Sequence, residues 1–460
     1  MMPQEQLVGR QAELGQLGRA YLAADSQLAL VYGRRRIGKS FLLSHFVAPY
    51  PNIYYQATQQ AESEELKSFT NAVRAALAEA QLPPDYSFAS WEAALEYLTE
   101  NYRRPKRLVV VLDEFPYLSD STPGLASIIQ RWWDRKGKKA RDLMLVLCGS
   151  AQTFMESLDG AAAPLHQRFT VKVRLGPLDY RAAAAFTPNL TPADRARVFG
   201  ILGGTPLYLR QWNQERSLRD NLLALFGDPG SGLVDSAELV LTADLPDARA
   251  SYRVLQAVAL GATKHSEIKD KAKVTSERSI TRLIELQLLR KMVPATDHPD
   301  RTRRSVYRIA DPYFDFYFRF IATNRSAIDR GLGEQLIDGT ILAHLDDHMG
   351  HIFEDMGRYF ATELIKRGEL TADAVGSWWS TDGQHEIDVV GTSRLVPTFI
   401  GSVKWRDRPL DRAVARDLER DARALGIGEE APRLLIGRQG AGDLTGLAHY
   451  RSISIDDMYI

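Results

Sequence analysis

The sequence predicts an α/β fold for its first half, because short strand-like apolar runs alternate there with helical stretches. Continuous apolar strands are typical of a parallel sheet that helices cover on both faces. At 460 residues the chain is longer than one core usually supports, so we expect several domains. The predicted strands are Leu28–Tyr32, Asn52–Gln56, Leu108–Leu112, Leu143–Cys148 and Thr170–Leu175.

The composition is that of an ordinary globular protein, with 45% hydrophobic and 25% charged residues. The formal net charge is zero, so no global field attracts nucleic acid and any basic surface must be local. The single cysteine, Cys148, excludes a disulfide framework and a cysteine-based zinc site. No segment has the pattern of a signal peptide or of a membrane-spanning helix. We therefore expect a cytoplasmic protein with no membrane partner.

A glycine-rich loop follows the first strand and begins a helix, in the pattern Gly33-x4-Gly38-Lys39-Ser40. Glycines let backbone N–H groups wrap phosphates, and the helix N-terminus adds partial positive charge. This P-loop pattern predicts that Lys39 reaches the β- and γ-phosphates of ATP and that Ser40 binds Mg²⁺. The flanking strand and helix argue against a chance glycine-rich turn. The residues predicted to line the nucleotide are Gly33, Arg34, Arg35, Arg36, Ile37, Gly38, Lys39, Ser40 and Phe41.

Two carboxylates follow the third apolar strand, as in the Walker-B arrangement. Asp113 is expected to hold the Mg²⁺ shell, and Glu114 to orient or deprotonate the attacking water. The alternative is an acidic pair that caps the next helix. Because the P-loop lies upstream, we favour the catalytic interpretation.

Several segments resemble the prokaryotic AAA/STAND-type ATPases that are often labelled archaeal ATPases. They are the opening Leu7–Leu14, the P-loop, the LDEF sequence at Asp113 and the GGTPLYL sequence Gly203–Leu209. The resemblance extends over nearly the full chain. It implies that one group of residues lies near the adenine and that another approaches the nucleotide from a helical lid. The first group is Val8, Gly9, Arg10 and Glu13, and the second is Gly204 and Pro206.

The same resemblance suggests two further site residues. AAA-type enzymes place a polar sensor of the γ-phosphate after the fourth strand, which implies Ser150; the alternative is a helix N-cap. Arg168 is the kind of residue that becomes an arginine finger for a neighbouring subunit of a homo-oligomer, although a plain surface arginine fits nearly as well.

Residues 248–309 are basic, with fourteen Lys/Arg against six Asp/Glu, an excess of eight positive charges. Three short helices and a hairpin predict a winged helix-turn-helix with Ser276–Leu289 as its recognition helix. The alternative is a protein–protein module. The aromatic segment Asp311–Phe320 predicts core packing rather than base stacking. The residues predicted to contact double-stranded DNA are Arg278 and Arg282 on one helical face, and Arg301, Arg303 and Arg304 at the hairpin tip.

The last part of the chain resembles the C-terminal domain of the same family, which is thought to have the PD-(D/E)XK nuclease fold. Glu354, Asp388 and Lys404 occur in the order of such a Mg²⁺ site. The departure is Ser402, which stands where the pattern has a carboxylate, and Glu386 offers a replacement from the same strand face. An active nuclease, a degenerate nuclease fold and a misleading similarity therefore remain open.

The histidines do not predict a zinc site. His351 and His385 stand without the spacing of metal ligands.

We therefore predict an α/β P-loop ATPase of the AAA type with a helical lid, a winged helix-turn-helix and a restriction-endonuclease-like α/β domain. The expected function is Mg²⁺-dependent ATP hydrolysis by a protein that acts on DNA. The alternatives are a nucleotide-gated switch that recruits protein partners and an ATP-coupled nuclease. The predicted boundaries are 1–225 for the ATPase, 226–247 for a linker, 248–335 for the winged helix with an aromatic connector, and 336–460 for the nuclease-like domain.

Overall fold

The computed structural model describes residues 7–77, 82–245, 247–274, 277–446 and 449–460. It divides the chain into two compact units, Met1–Pro177 and Leu178–Ile460. The predicted end of the ATPase domain at residue 225 therefore does not coincide with the boundary between the units, because the predicted lid helices lie within the second unit.

A five-stranded parallel sheet forms the centre of the first unit, in the order β2-β3-β4-β1-β5. Each strand lies where the sequence predicts one. Because β4 lies between β1 and β3, the strands that precede the P-loop and the acidic pair are not neighbours. The strands are β1 (Gln27–Tyr32), β2 (Asn52–Gln56), β3 (Leu108–Asp113), β4 (Leu143–Gly149) and β5 (Val171–Arg174).

Helices cover both faces of this sheet, as the apolar strands predict. Along β1, Leu28 and Leu30 pack into one apolar cluster, whereas Ala29 and Val31 pack into the cluster on the opposite face. The helices of the first unit are α1 (Gln11–Leu22), α2 (Lys39–Val47), α3 (Glu62–Ala76), α4 (Trp91–Asn101), α5 (Phe115–Ser121), α6 (Leu125–Arg135) and α7 (Gln152–Ser157), with a 3-10 turn at Gly137–Lys139.

The second unit begins with eight helices and a two-stranded antiparallel hairpin. The helices are α8 (Tyr180–Ala184), α9 (Pro192–Leu202), α10 (Pro206–Leu209), α11 (Leu218–Phe226), α12 (Ser236–Asp244), α13 (Ala248–Ala259), α14 (His265–Ala272) and α15 (Glu277–Glu285). The hairpin strands are β6 (Leu289–Met292) and β7 (Val306–Ile309). Three helices followed by a hairpin, α13 to β7, is the element order that the sequence predicts here.

The structure departs from two sequence-based boundaries in this region. The predicted recognition helix Ser276–Leu289 ends at Glu285, because Gln287 adopts a left-handed φ of 57° and Leu289 already begins β6. Ser276 itself lies outside the described residues. The predicted linker 226–247 contains α12, because Leu233 and Val234 before it are fully buried and anchor it in the core.

The aromatic segment after β7 is buried, as predicted. It forms α16 (Pro312–Phe316) and a π-helical turn (Tyr317–Ile321), whose aromatic side chains are at most 3% exposed. They share one apolar cluster with residues of α9 to α13, so the segment is the core of the helical region and leaves no base-stacking face. The chain continues through a 3-10 turn (Ala322–Asn324), α17 (Arg325–Asp329), α18 (Gly333–Leu336) and a second π-helical turn (Ile337–Ile341).

The C-terminal part of the second unit contains a second five-stranded sheet, in the order β12-β11-β10-β9-β8. Strands β8 to β10 are antiparallel, whereas β10, β11 and β12 are parallel. Helix α19 (Leu342–Lys366) packs on one face and α20 (Arg412–Leu425) on the other. The strands are β8 (Ala374–Trp379), β9 (Glu386–Ser393), β10 (Val396–Lys404), β11 (Arg433–Gly437) and β12 (Tyr450–Ile453), and a short α21 (Ile455–Met458) follows them. Of these five strands the sequence predicts two, as the strand-like runs Glu386–Val390 in β9 and Thr398–Val403 in β10.

None of the helices in the described ranges is both long enough and apolar enough to span a membrane.

Candidate functional site

The P-loop connects β1 to α2 and encloses its own lysine. A Cβ atom on Gly33 would lie 2.3 Å from the carbonyl oxygen of Leu175, so only glycine fits there. Gly38, with a left-handed φ of 93°, is the N-cap of α2. Lys39 Nζ donates to the carbonyl oxygens of Gly33 and Arg34, each at 3.0 Å. The buried ammonium group therefore lies within the loop, at the N-terminus of α2.

The hydroxyl of Ser40 and the carboxylate of Asp113 meet although they lie 73 residues apart. Ser40 Oγ donates to Asp113 Oδ2 at 2.7 Å. Asp113 ends β3 and is completely buried. A hydroxyl and a carboxylate provide oxygen ligands of the kind that Mg²⁺ prefers. The donor set in this position therefore fits the magnesium site predicted from the sequence.

Tyr54 is a third member of this cluster, and the sequence analysis missed it. It lies on β2 beside β3, and its hydroxyl donates to Asp113 Oδ2 at 2.7 Å. The backbone N–H of Glu114 donates to Asp113 Oδ1 at 2.9 Å. Burial, and then the charge of Asp113, raises the pKa of Tyr54, so the phenol stays protonated and remains a donor. A tyrosine on the strand next to the Walker-B strand is the signal that could have indicated it.

Glu114 and Ser150 also contact each other. Glu114 adopts a left-handed φ of 52° directly after Asp113. Ser150 Oγ donates to Glu114 Oε2 at 3.0 Å, and Ser150 follows β4, the strand between β1 and β3. Neither residue caps a helix through its side chain: Glu114 makes no capping hydrogen bond to α5, and the N-cap of α7 is Ala151. The capping alternatives for both residues are therefore wrong.

The N-terminal segment is attached to the P-loop through Arg10. Its guanidinium is buried and donates to the carbonyl oxygens of Ile37, at 3.1 Å, and Gly176, at 2.7 Å. Its other nitrogen donates to Glu13 at 3.1 Å. Arg10 thus holds the far end of the P-loop in place. The predicted adenine contacts of this segment, including Val8 and Gly9, stay predictions.

The other loop residues have different surroundings. Arg34 is buried, whereas Arg35 donates to the hydroxyl of Tyr117 at 3.1 Å. Arg36 adopts a left-handed φ of 67°, and the ring of Phe41 packs 4.4 Å from that of His45. Their contacts with a nucleotide stay predictions.

Arg168 forms a two-pronged ion pair within its own chain. Its Nε lies 3.2 Å from each oxygen of the Asp134 carboxylate, and its Nη2 lies 2.7 Å from Asp134 Oδ2. These hydrogen bonds hold the pKa of Asp134 below its ordinary value. An arginine-finger role stays a prediction, and it requires Arg168 to leave this partner.

Gly204 and Pro206 lie in the second unit. The carbonyl of Gly204 accepts from the N–H of Leu178 at 2.8 Å, and a Cβ on Gly204 would lie 1.9 Å from the Leu178 oxygen. This glycine is therefore required by local packing. Pro206 is the first residue of α10. Their predicted approach to the nucleotide stays a prediction.

The residues of the predicted nuclease-like site come together on α19, β9 and β10. Asp388 Oδ2 accepts from Lys404 Nζ at 2.8 Å, from the Val403 N–H at 2.7 Å and from Ser402 Oγ at 3.2 Å. Ser402, which replaces the expected carboxylate, is thus placed to donate to Asp388 rather than to bind a cation.

Glu354 on α19 completes this cluster. Burial, and then the charge of Asp388, raises its pKa, and Glu386 at the exposed start of β9 acts in the same direction. Arg308 of β7 opposes this shift and lies with its Nη1 3.3 Å from Glu354 Oε2. The hairpin therefore supplies a positive charge to a carboxylate of α19.

The five predicted DNA-contacting arginines differ in their surroundings. Arg278, Arg301 and Arg303 are exposed. Arg282 pairs with Glu285 at 2.8 Å. Arg304 pairs with Asp297 and donates to the carbonyl of Trp379 in β8 at 2.8 Å. Arg304 therefore joins the hairpin to the second sheet, and two of the five side chains already pair with carboxylates.

Replacement of Tyr54 by phenylalanine tests the newly found contact with Asp113. A hydrogen bond to a charged group stabilises by about 1.5–3 kcal/mol, so we expect Tyr54→Phe to raise the Mg²⁺ concentration that gives half-maximal ATPase activity, because the Asp113 carboxylate loses a donor that fixes its orientation. The matched control is Tyr55→Phe, whose hydroxyl bonds Glu65 instead. Equal Mg²⁺ dependence in the two variants would contradict the role assigned to Tyr54.

Comparison with known proteins agrees with this site. Residues 7–212 match the family described as an ATPase domain predominantly from Archaea, and residues 317–418 match a family of archaeal and bacterial proteins of unknown function. The chain is 26% identical over 428 residues to the uncharacterized protein MJECL04 of Methanocaldococcus jannaschii, with 91% of this chain and 92% of that protein covered.

Two solved structures are also similar. The Walker-type ATPase paby2304 of Pyrococcus abyssi is 18% identical, with 68% of this chain and 96% of that chain covered and a TM-score of 0.49. The Aeropyrum pernix ORC2 protein, in its ADPNP-ADP complexes, is 15% identical, with 74% and 96% covered and a TM-score of 0.41. Together with the P-loop geometry, the family match supports an archaeal-type ATPase, with the ATPase domain in residues 7–212.

Proposed function

We propose that this protein hydrolyses ATP with Mg²⁺ at the carboxyl ends of β1, β3 and β4. The observation that carries the proposal is the meeting of two side-chain pairs at this edge of the sheet. One pair is Ser40 with Asp113, at 2.7 Å, and the other is Ser150 with Glu114, at 3.0 Å. Oxygen ligands for a cation thus lie beside a second carboxylate, which supports a role for Glu114 in activating water.

Each residue has a separate role in the proposed reaction. Lys39 leaves the loop carbonyl oxygens and donates to the phosphates, while the loop N–H groups hold the phosphate oxygens. Ser40 and Asp113 hold Mg²⁺, which, when bound, neutralises the charge that develops on the phosphates. Glu114 orients the attacking water and accepts its proton. Ser150 positions the Glu114 carboxylate.

Two substitutions test these roles. Lys39→Ala removes the ammonium group and is expected to abolish nucleotide binding in a calorimetric titration. Glu114→Gln retains an oxygen that accepts from Ser150 but cannot take a proton, so we expect binding to persist while turnover falls about 10²–10⁴-fold. Lys67→Ala and Glu64→Gln, on the exposed face of α3, are the matched controls. Wild-type turnover in Glu114→Gln would exclude it as the base.

The proposal extends to double-stranded DNA as the partner of α13 to β7. Three helices and a hairpin have the order of a winged helix-turn-helix, with α15 in the position of the recognition helix. The exposed arginines Arg278, on α15, and Arg301 and Arg303, between the hairpin strands, support this partner. The ordering of Arg282 and Arg304 by intramolecular carboxylates limits the proposed surface to these three side chains.

The salt dependence of DNA binding tests this surface. The logarithm of the binding constant falls as the logarithm of the salt concentration rises, and each lost phosphate contact reduces the magnitude of this slope by about 1. The double variant Arg278→Ala with Arg303→Ala should therefore reduce it by about 2. The charge-matched control is Arg249→Ala with Arg253→Ala on α13, which should leave the slope unchanged. If duplex DNA neither binds at low salt nor stimulates ATP hydrolysis, the alternative of a nucleotide-gated switch for protein partners is favoured.

For the second sheet we propose a degenerate nuclease-like domain that has kept its scaffold. Ser402 removes one carboxylate, and Asp388 already accepts from three donors of its own chain. Arg308 compensates the charge of Glu354. These contacts satisfy internally the groups that an active site would direct to a cation.

We therefore expect the purified protein to leave single- and double-stranded DNA intact in the presence of Mg²⁺ or Mn²⁺, as measured by gel electrophoresis. Cleavage that is lost in both Asp388→Ala and Lys404→Ala would instead establish the alternative of an active nuclease, with Glu386 as the replacement carboxylate.

A further inference from the structure

A cluster of two histidines and an aspartate lies in the helical core of the second unit, outside both sites described above. His348 and His351 are three residues apart on α19, and Asp315 belongs to α16. One ligand atom from each residue lies within 4.8 Å of the other two. Histidines at this spacing share one side of a helix, so the sequence contains a ligand pair that its analysis overlooked, while the third group comes from a distant segment.

The environment of His348 favours a cation. Its side chain is completely buried, and its Nε2 lies 2.9 Å from the carbonyl oxygen of Gly200. This contact requires Nε2 to carry the proton, so Nδ1 of the neutral ring has a free lone pair. Among the described residues, Nδ1 has no hydrogen-bond partner, and Asp315 Oδ2 lies 3.5 Å away. A lone pair that faces a carboxylate is unfavourable, and a cation bound between the two atoms would remove this repulsion.

We propose that Asp315, His348 and His351 bind a first-row divalent transition metal, for which Zn²⁺ is the best candidate. Bonds of about 2.0–2.1 Å in a tetrahedral site place two ligand atoms about 3.3–3.4 Å apart. The separation of 3.5 Å between His348 Nδ1 and Asp315 Oδ2 fits this geometry. His351 Nε2, at 2.6 Å from the same oxygen, must move outward when two metal bonds replace their hydrogen bond.

The ligand types, the nearby charge and the exposure of the cluster all favour a transition metal ion. Imidazole nitrogens suit Zn²⁺ and its neighbours rather than Mg²⁺ or Ca²⁺. Arg319, one helical turn after Asp315, is near enough for its positive charge to act on both Asp315 and His348. Because the positive charge of Arg319 repels a bound cation, the metal–nitrogen bonds must be strong enough to offset this repulsion. The side chain of His351 is 25% exposed, which gives the ion a path from solvent and leaves a fourth position for water.

Metal binding here would join three segments that are far apart in the sequence. The ligands connect α16 to α19, and the carbonyl of Gly200 orients His348 from α9, as outer-shell partners of metal-bound histidines do. Helices α9 and α19 are in close contact at this point, because a Cβ on Gly200 would lie 2.3 Å from Met349 Sδ. The ion is therefore expected to stabilise the second unit, independently of ATP hydrolysis.

The test is a calorimetric titration of Zn²⁺ into the metal-free full-length protein, without nucleotide and with excess Mg²⁺ to occupy sites that have oxygen ligands. We expect one equivalent to bind and the unfolding temperature to rise. Asp315→Asn and His351→Ala should each weaken binding by at least about 10-fold and abolish the shift in unfolding temperature.

The matched control is His385→Ala. His385 also pairs with an aspartate, Asp421 at 2.8 Å, and its side chain is 28% exposed, but this pair lies outside the cluster. Binding in this variant should equal that of the wild type. The visible spectrum of bound Co²⁺ provides a second readout, because a tetrahedral nitrogen and oxygen site absorbs more strongly than an octahedral one. Wild-type protein that binds no Zn²⁺, or ligand variants that bind it as tightly as the wild type, would overturn the proposal.

Discussion

The buried carboxylate of Asp113 is the group on which the nucleotide site depends. It has no exposure to solvent, and an ionised carboxylate is costly to bury without donors. The hydroxyls of Ser40 and Tyr54 and the backbone N–H of Glu114 supply them. The strand order makes this arrangement possible, because β3 has β2 with Tyr54 on one side and β4 with Ser150 on the other. The sheet therefore positions the carboxylates of Asp113 and Glu114, and the P-loop positions the N–H and ammonium groups that are proposed to bind phosphate.

In the second unit, arginines of the hairpin neutralise carboxylates of α19. Arg290 pairs with Asp355, and Arg308 pairs with Glu354. Burial opposes ionisation of Asp355, but Arg290 and Arg358 outweigh it and hold the pKa of this carboxyl below its ordinary value. Part of the excess positive charge of residues 248–309 is thus neutralised by carboxylates of the same chain. A count of charges in a sequence overstates the surface that nucleic acid can contact, because it does not show which charges already have partners.

Prediction from the sequence was most accurate where the chemistry is local. The P-loop and the five parallel strands follow from residues that are adjacent in the chain, and each strand lies where it was predicted. Helices and strands were missed where tertiary packing, rather than the local sequence, determines the structure. The sequence predicts a linker from residue 226 to residue 247, yet Leu233 and Val234 are buried there and α12 follows them. Strand β8 was missed before β9, as were β11 and β12 after β10, and of these three only β12 is both short and polar.

By itself, the sequence determined the P-loop, since its two glycines, Lys39 and Ser40 lie within one short segment between a strand and a helix. It also determined that Asp113 and Glu114 end a buried strand. Only the tertiary structure decided which distant side chains meet them, because strand order is not encoded in any one segment. The same holds for Asp315, whose position opposite His348 and His351 depends on the packing of α16 against α19, a contact between residues more than thirty positions apart.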